Sequence, residues 1–590
     1  MSMKISFIVL FSIIISELFG QKLDYKLSMS KPQNHYFEVE MHVQDWDDDS
    51  LLLEMPVWAP GSYLIRDFPK NISTVMAING SGKHLDLKKT RKNKWLVFTD
   101  ENKSIIIKYR VYAFELSVRT SFLDLSHGFV SGSSVFMTIP NLSMKEGTIE
   151  IKPFAEFKKI STSLELIKQQ SNRYTYAFKN FDELIDSPIE IGNQKVFSFE
   201  SGGLMHTVAL FGEGNYDESL LKTDMSKIVQ ECTDVFGFNP TKNYTFIIHN
   251  VLNGQGGLEH ENSCVLSVNR MSYESNYYGF LSLVAHEYFH LWNVKRIRPI
   301  ELGPFDYSNE NYTSLLWVME GFTSYYDELI LRRVGFYSKS IFLNKLNGMI
   351  NYVEESVGAR VQSVSDASFD AWIKAYKPNE NSTNTTMTYY TRGAIIAALI
   401  DVMIIKNSDR KQCLDHFLQF LYMKYHVELK RGFTESEFKD DLSKFTGKDM
   451  SYFFESYIQG TEILPYKQEF EGIGLKVLER ITTSISTGIL VEDIQDKVIV
   501  KRIESNSSAE NEGFSVGDEI IAVNNYRVNF KSFSNILNEL ALNESIEVLI
   551  SRDGLIKKIN LSVYQKKTPN FDLNENNESQ QKALFDYWLR

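Results

Sequence analysis

Val284-Ala285-His286-Glu287-Tyr288-Phe289-His290-Leu291 reads as H-E-x-x-H inside a run of helix-forming, mostly apolar residues. Positions i and i+4 of a helix share a face, so His286 and His290 project side by side. A Zn2+ ion takes this from a helix: two nitrogen ligands at about 2 Å, with a position left open for water. Glu287, between them, is placed to take a proton from that water. The same pattern also arises by chance, as two solvated histidines on a helix surface. Trp317-Val318-Met319-Glu320-Gly321-Phe322 separates the two readings, because a lone carboxylate among bulky side chains is costly to bury unless it is paired or metal-bound. With Glu320 added, His286, His290 and Glu320 have the three-ligand composition of a catalytic zinc site holding one ion per chain.

Outward from this motif the pattern is helical from Tyr277 to about Gly460. Phe280, Leu283, Val284 and Leu291 form an apolar stripe, and Pro299 ends the segment. The next helix is expected to start after Ser308-Asn309 and run through Glu320 to Gly335. Thr388-Tyr389-Tyr390-Thr391-Arg392-Gly393 opens another apolar helix, where a tyrosine either anchors packing or donates a hydrogen bond into a site. Ahead of the motif, Tyr244 to His249 reads as a strand that breaks into Asn253-Gly254-Gln255-Gly256-Gly257-Leu258-Glu259-His260-Glu261. Paired glycines allow close approach of a ligand, and a mobile polar loop is the equal alternative.

Farther out, Gln21 to Val196 alternates with period two between turn signals, which predicts a β-rich domain. Within it, Pro and Gly in Met55-Pro56-Val57-Trp58-Ala59-Pro60-Gly61-Ser62-Tyr63 forbid a regular strand. We read an ordered aromatic turn, structural first and part of a substrate cleft second. After Pro465 strands return, with Gly472-Ile473-Gly474-Leu475 at the front and a helix from Phe533 to Leu542. The expected division is a signal peptide at 1–20, a β-rich domain at 21–196, a catalytic domain at 197–465, a small strand-rich domain at 466–565 and a polar tail at 566–590.

A chain of 590 residues is too long for one core. Its net charge of −12 carries no long block of either sign, which excludes nucleic acid as the expected partner. Met1-Ser2-Met3-Lys4, the apolar run Ile5 to Ile15 and the following small residues have the signal-peptide pattern, so export to the periplasm or beyond is expected. A retained signal acting as an anchor is the alternative. No later stretch approaches the roughly 18 to 20 consecutive apolar residues of a span. Cys232, Cys264 and Cys413 are too few and too scattered for a disulfide framework.

These pieces together resemble the glycyl aminopeptidase family of zinc peptidases. Its architecture is multidomain α+β: a β-rich N-terminal domain, a thermolysin-like, mainly helical catalytic domain and a C-terminal PDZ domain. The resemblance is carried by Trp58 to Tyr63, Asp186-Ser187-Pro188-Ile189-Glu190, Gly256-Gly257-Leu258-Glu259-His260, His286 to Arg296, Trp317 to Gly321 and Tyr389-Tyr390-Thr391-Arg392-Gly393. It implies His286, His290 and Glu320 as zinc ligands and Glu287 as general base. The segment between His290 and Glu320 is longer than in the best-known relatives, which leaves Glu301 and Glu310 as alternatives. Gly256, Gly257, Glu259 and His260 would bind substrate, with Glu259 on a peptide's free amine. Tyr390 would stabilise the oxyanion, Tyr389 being the alternative, and Arg392 stands where the family has Lys. The resemblance also implies peptides beginning with Gly or Ala as substrates, and Gly472, Ile473, Gly474 and Leu475 as a PDZ loop for a peptide C-terminus. Two rivals remain: a zinc endopeptidase, against which Glu259 argues, and a PDZ scaffold with a vestigial peptidase, against which the intact zinc set argues.

Overall fold

The computed structural model describes residues 21–576, 578 and 580–590; the segment read as a signal peptide lies outside the described residues. Alternation is realised as expected in the N-terminal domain. Tyr36–Gln44 buries every second residue and pairs with Lys22–Ser28 on one side and Ile105–Tyr112 on the other, within an eight-stranded sheet. Five- and three-stranded sheets complete the domain around a core that includes Phe37, Trp46 and Trp95.

A five-stranded sheet opens the catalytic domain, in the spatial order Lys195–Ser201, Leu204–Phe211, Asn243–Val251, Ser263–Asn269, Gly257–His260. The last is an edge strand, and period two sends Gly257 and Glu259 to one face and Leu258 and His260 to the other. Leu258 packs with Val118 and Phe129 of the N-terminal domain.

Three helices carry the rest of the site. The metal helix is Tyr277–Phe289, with His290 as its C-cap. The glutamate helix is Leu316–Arg333, beginning seven residues after the expected Ser308-Asn309 start. Capping groups there are spent elsewhere: the Ser308 amide donates to Asp306 Oδ1 at 2.8 Å and its hydroxyl to Glu54. The tyrosine helix is Tyr389–Ser408. A Cβ on Gly321 would lie 2.4 Å from Gly393 Cα, and one on Gly393 2.5 Å from the Trp317 carbonyl oxygen. Two glycines therefore let the glutamate and tyrosine helices touch backbone to backbone. By length and hydropathy the stretch Ser382–Ser408 could cross a membrane, but 83% of its apolar window is buried inside the protein, as a core helix requires.

The Asp186–Glu190 segment joins the first two domains. Asp186 accepts from Lys295 Nζ at 3.1 Å and faces His260 Nδ1 at 2.8 Å. Glu190, fully buried, lies between His127 at 2.7 Å and His249 at 3.0 Å. Burial alone would raise the Glu190 carboxyl, but the two imidazoles outweigh it and hold it below its usual value.

Two expectations fail at the C-terminus. Ile473 is fully buried in the catalytic core, and the amides of Ile473 and Gly474 close back on Phe470 and Glu471. Gly472, Ile473, Gly474 and Leu475 are therefore no carboxylate loop, since the donors such a loop would offer are already used. Leu475 instead starts the long strand Leu475–Ser486, whose partner over twelve residues is Tyr564–Glu575. The expected polar tail is likewise structural: Phe585, Trp588 and Leu589 are buried in the catalytic core, and Trp588 Nε1 donates to the Tyr325 hydroxyl at 2.8 Å. Between the two ribbon strands sits a separate sheet with its own core, ordered Ile489–Ile494, Lys497–Ile503, Glu519–Val523, Ser545–Arg552, Leu555–Ser562. The small domain is thus hung from a ribbon that belongs to the catalytic domain.

Candidate active site

His286 and His290 sit one turn apart, their ring centroids separated by 4.7 Å. Glu320 Oε2 is 3.4 Å from His286 Nε2 and 3.3 Å from His290 Nε2. Each imidazole spends its other nitrogen elsewhere. His286 Nδ1 faces Asp327 Oδ2 at 3.0 Å and His290 Nδ1 donates to the Asn293 carbonyl at 2.7 Å. Partners of this kind fix the tautomer and leave both Nε2 atoms for a metal. Donor types, convergence and supporting shell fit a zinc ion. Burial alone would raise the Glu320 carboxyl, yet His290 and His286 outweigh it and hold it at about 2, so it is a carboxylate ready to ligate. Glu301 is exposed beside Thr313, and neither it nor Glu310 joins the cluster among the described residues.

Glu287 is 4% exposed and its Oε2 has no hydrogen-bond partner. Burial pushes its carboxyl up to about 7. Glu259 comes within reach of both Glu287 and His290, since one ligand-type atom from each of the three lies within 4.8 Å of the others. The edge strand runs tight against this group: a Cβ on Gly257 would lie 2.3 Å from Glu287 Oε1. Gly256, at φ +92°, lines the same cleft, about 470 Å³ in volume, with Gly257, His286, Glu287 and Tyr390.

Tyr390 is partly exposed, stacks 6.4 Å from His286 and senses the Glu320 charge. Tyr389 is 1% exposed and lies behind it. Arg392, where a lysine is expected, is buried and donates to the Glu462 carbonyl at 2.9 Å, away from the cleft. His260 is corrected as a substrate contact. It shares the strand with Glu259 but takes the opposite face, toward Asp186, where it cements the domains.

Sequence reasoning missed several residues that complete the site. Asp327 lies seven positions after Glu320, two turns along the same helix face, a spacing that could have revealed it. Asn293, three residues past His290, also sends its side-chain amide to the carbonyls of Val318 and Met319, tying the metal helix to the glutamate helix. The turn at Gly61, read from the sequence as structural first and part of a cleft second, packs directly against Glu259. A Cβ there would lie 2.4 Å from Glu259 Oε1, and the Tyr376 hydroxyl donates to the Gly61 carbonyl at 3.2 Å. Trp58 anchors the turn in the catalytic core, 5.1 Å from Trp372.

A sheet-and-helix catalytic domain with two histidines and a glutamate converging beside a buried glutamate defines the class of zinc metallopeptidases. Comparison with known proteins carries this further. The model of the peptidase M61 N-terminal domain matches residues 24–193, that of M61 glycyl aminopeptidase residues 279–396, and that of a PDZ domain residues 486–563. An aminopeptidase N family protein from Idiomarina loihiensis is 28% identical, with a TM-score of 0.87 over 96% of this chain and 100% of its own. An M1 zinc metallopeptidase from Deinococcus radiodurans shares the fold at 12% identity, with a TM-score of 0.50 over 76% of this chain and 96% of its own. No curated protein matches. The chain carries the N-terminal and catalytic domains of the M61 glycyl aminopeptidase models and a PDZ domain, and it is a zinc metallopeptidase of the metallo-aminopeptidase kind.

Proposed function

We propose that this chain removes a small N-terminal residue, Gly or Ala, from peptides, using one zinc ion held by His286, His290 and Glu320. Zinc, when bound, polarises a carbonyl and makes water a stronger acid at neutral pH. Glu287 takes the proton of the attacking water on its unpartnered oxygen and returns it to the leaving amine. Tyr390 donates its hydroxyl to the oxygen that gains charge, where a fixed donor helps most in the transition state. Glu259 pairs with the substrate ammonium and sets which bond is presented.

The observation that carries this reading is Glu259, buried beside Glu287 and His290 and backed by Gly61. An acid there meets an ammonium, and the Gly61 turn is packed against that carboxylate. The match of residues 279–396 to the M61 glycyl aminopeptidase model supports a small first residue. The N-terminal pattern supports export, and Cys232, Cys264 and Cys413, all free and buried, need no oxidant to fold. For the PDZ domain we propose a peptide C-terminus added as a strand along Ile489–Ile494, the edge of its sheet, after Gly488 at φ +75°. The test is metal analysis of the purified protein together with hydrolysis of free and N-acetylated Gly- and Ala-peptides. Cleavage of the free forms alone by the zinc-loaded protein is expected; equal cleavage of both sinks the exopeptidase reading.

A further inference from the structure

The N-terminal domain sends Arg119 to the catalytic cleft and holds Arg66 near it, and neither has a carboxylate partner among the described residues. Arg119 sits in the turn between Phe114–Ser117 and Thr120–Leu123 and lines the cleft alongside Gly256, Gly257 and His286. Its one side-chain hydrogen bond among the described residues is long: Nη2 donates to the Gly257 carbonyl at 3.5 Å. Its Nε is buried without a partner. Arg66, just past the Gly61 turn, donates from Nη2 to Ser62 Oγ at 2.8 Å, and its Nε is also buried and unpartnered. The two cations sense each other: burial and then Arg119 lower the Arg66 guanidinium below its usual value, with exposed Glu115 a weaker opposing charge.

Buried guanidiniums are normally answered by carboxylates. Arg333 in the same chain is met by Asp415 at 2.9 Å. Two part-buried, mutually repelling guanidiniums with spare donors are therefore an arrangement that an incoming anion stabilises. The forked, planar donor set of arginine fits a carboxylate best.

We propose that Arg119, reinforced by Arg66, receives a carboxylate of the substrate at the cleft wall. This rests on the aminopeptidase reading, in which Glu259 takes the ammonium at the other end of the bound segment. An acid for the amine and a base for the carboxylate would together select short peptides. The carboxylate has two sources: the C-terminus of a di- or tripeptide, or an acidic side chain following the first residue.

The test compares wild type, Arg119→Ala and Arg119→Lys on three substrates: a Gly-Ala free acid, the same dipeptide as its C-terminal amide, and Gly-Asp amide. Wild type should favour a carboxylate-bearing substrate over Gly-Ala amide. Arg119→Ala should lose roughly 10- to 100-fold in kcat/KM on that substrate, mainly through KM, as expected for a charged hydrogen bond lost from ground-state binding. On Gly-Ala amide it should stay within about threefold of wild type, with zinc content unchanged and Arg119→Lys recovering part of the loss. Loss on the free acid alone assigns the C-terminus, and loss on Gly-Asp amide alone assigns the side chain. An equal loss on all three overturns the proposal, leaving Arg119 as a prop for the Gly257 strand. Wild type cleaving all three equally overturns it while leaving the aminopeptidase intact, and wild type cleaving none sinks both.

Discussion

The catalytic cleft draws its groups from distant parts of the chain, and each is held by buried partners. His286 is backed by Asp327, His290 by Asn293, Glu259 by the Gly61 turn, and Glu320 by a glycine contact to the tyrosine helix. The PDZ domain, by contrast, has its own core, hangs from the two strands Leu475–Ser486 and Tyr564–Glu575, and meets the catalytic domain through few polar groups. Chief among these is Asn384, whose side chain donates to the Ile503 carbonyl at 2.8 Å and accepts from the Ser505 amide at 3.0 Å. Chemistry demands fixed distances, so the first region is cemented. A module that presents a sheet edge needs none with respect to the zinc centre, so the second is suspended.

If that contrast is right, disturbances of the first region should cost catalysis steeply and those of the second should not. The largest effect is expected for Glu287→Gln, which removes the proposed base without touching a proposed ligand: kcat should fall by roughly 10²- to 10⁴-fold with zinc still bound, measured by steady-state kinetics and metal analysis on one sample. Loss of zinc there would assign the glutamate a different role. Next comes Gly393→Ala, whose methyl has no space against Trp317. Overpacking of this kind costs about 1–3 kcal/mol, so thermal unfolding should shift downward and kcat should drop as Glu320 and Tyr390 are pushed apart. Wild-type stability and rate in this variant would show that the helix contact does not set the site. The smallest catalytic effect belongs to Asn384→Ala. Hydrogen exchange around residues 503–505 should quicken while dipeptide kcat/KM stays within about twofold of wild type. A tenfold loss of dipeptide hydrolysis would mean the two regions are coupled after all.

What was legible in the sequence follows the range of each interaction. His286, Glu287 and His290 are a local pattern on one helix turn, and Glu320 announces itself as a carboxylate in apolar surroundings. The β-rich first domain was readable because alternation is local too. Pairings across the chain leave no such mark: nothing near Arg119 or Gly61 says that Gly257 or Glu259 will be opposite. His260 was misread because adjacency in sequence hides the opposite faces of a strand. Gly472 to Leu475 was misread because a glycine in the turn after a short helix, Gly474 at φ +90°, looks like a glycine that frees a loop. The ribbon escaped notice because its strands are separated by the whole PDZ domain.

The central claim is that a buried acid at the end of the edge strand makes this zinc peptidase act on free N-termini. Kinetics of Glu259→Gln on a free Gly-peptide and on a neutral analogue without the ammonium test it most directly. The account predicts a loss of kcat/KM of roughly 10- to 100-fold on the free peptide, shared between kcat and KM, with zinc content intact and no loss on the analogue. Hydrolysis of the free peptide within a few-fold of wild type, or an equal loss on both substrates, would contradict it.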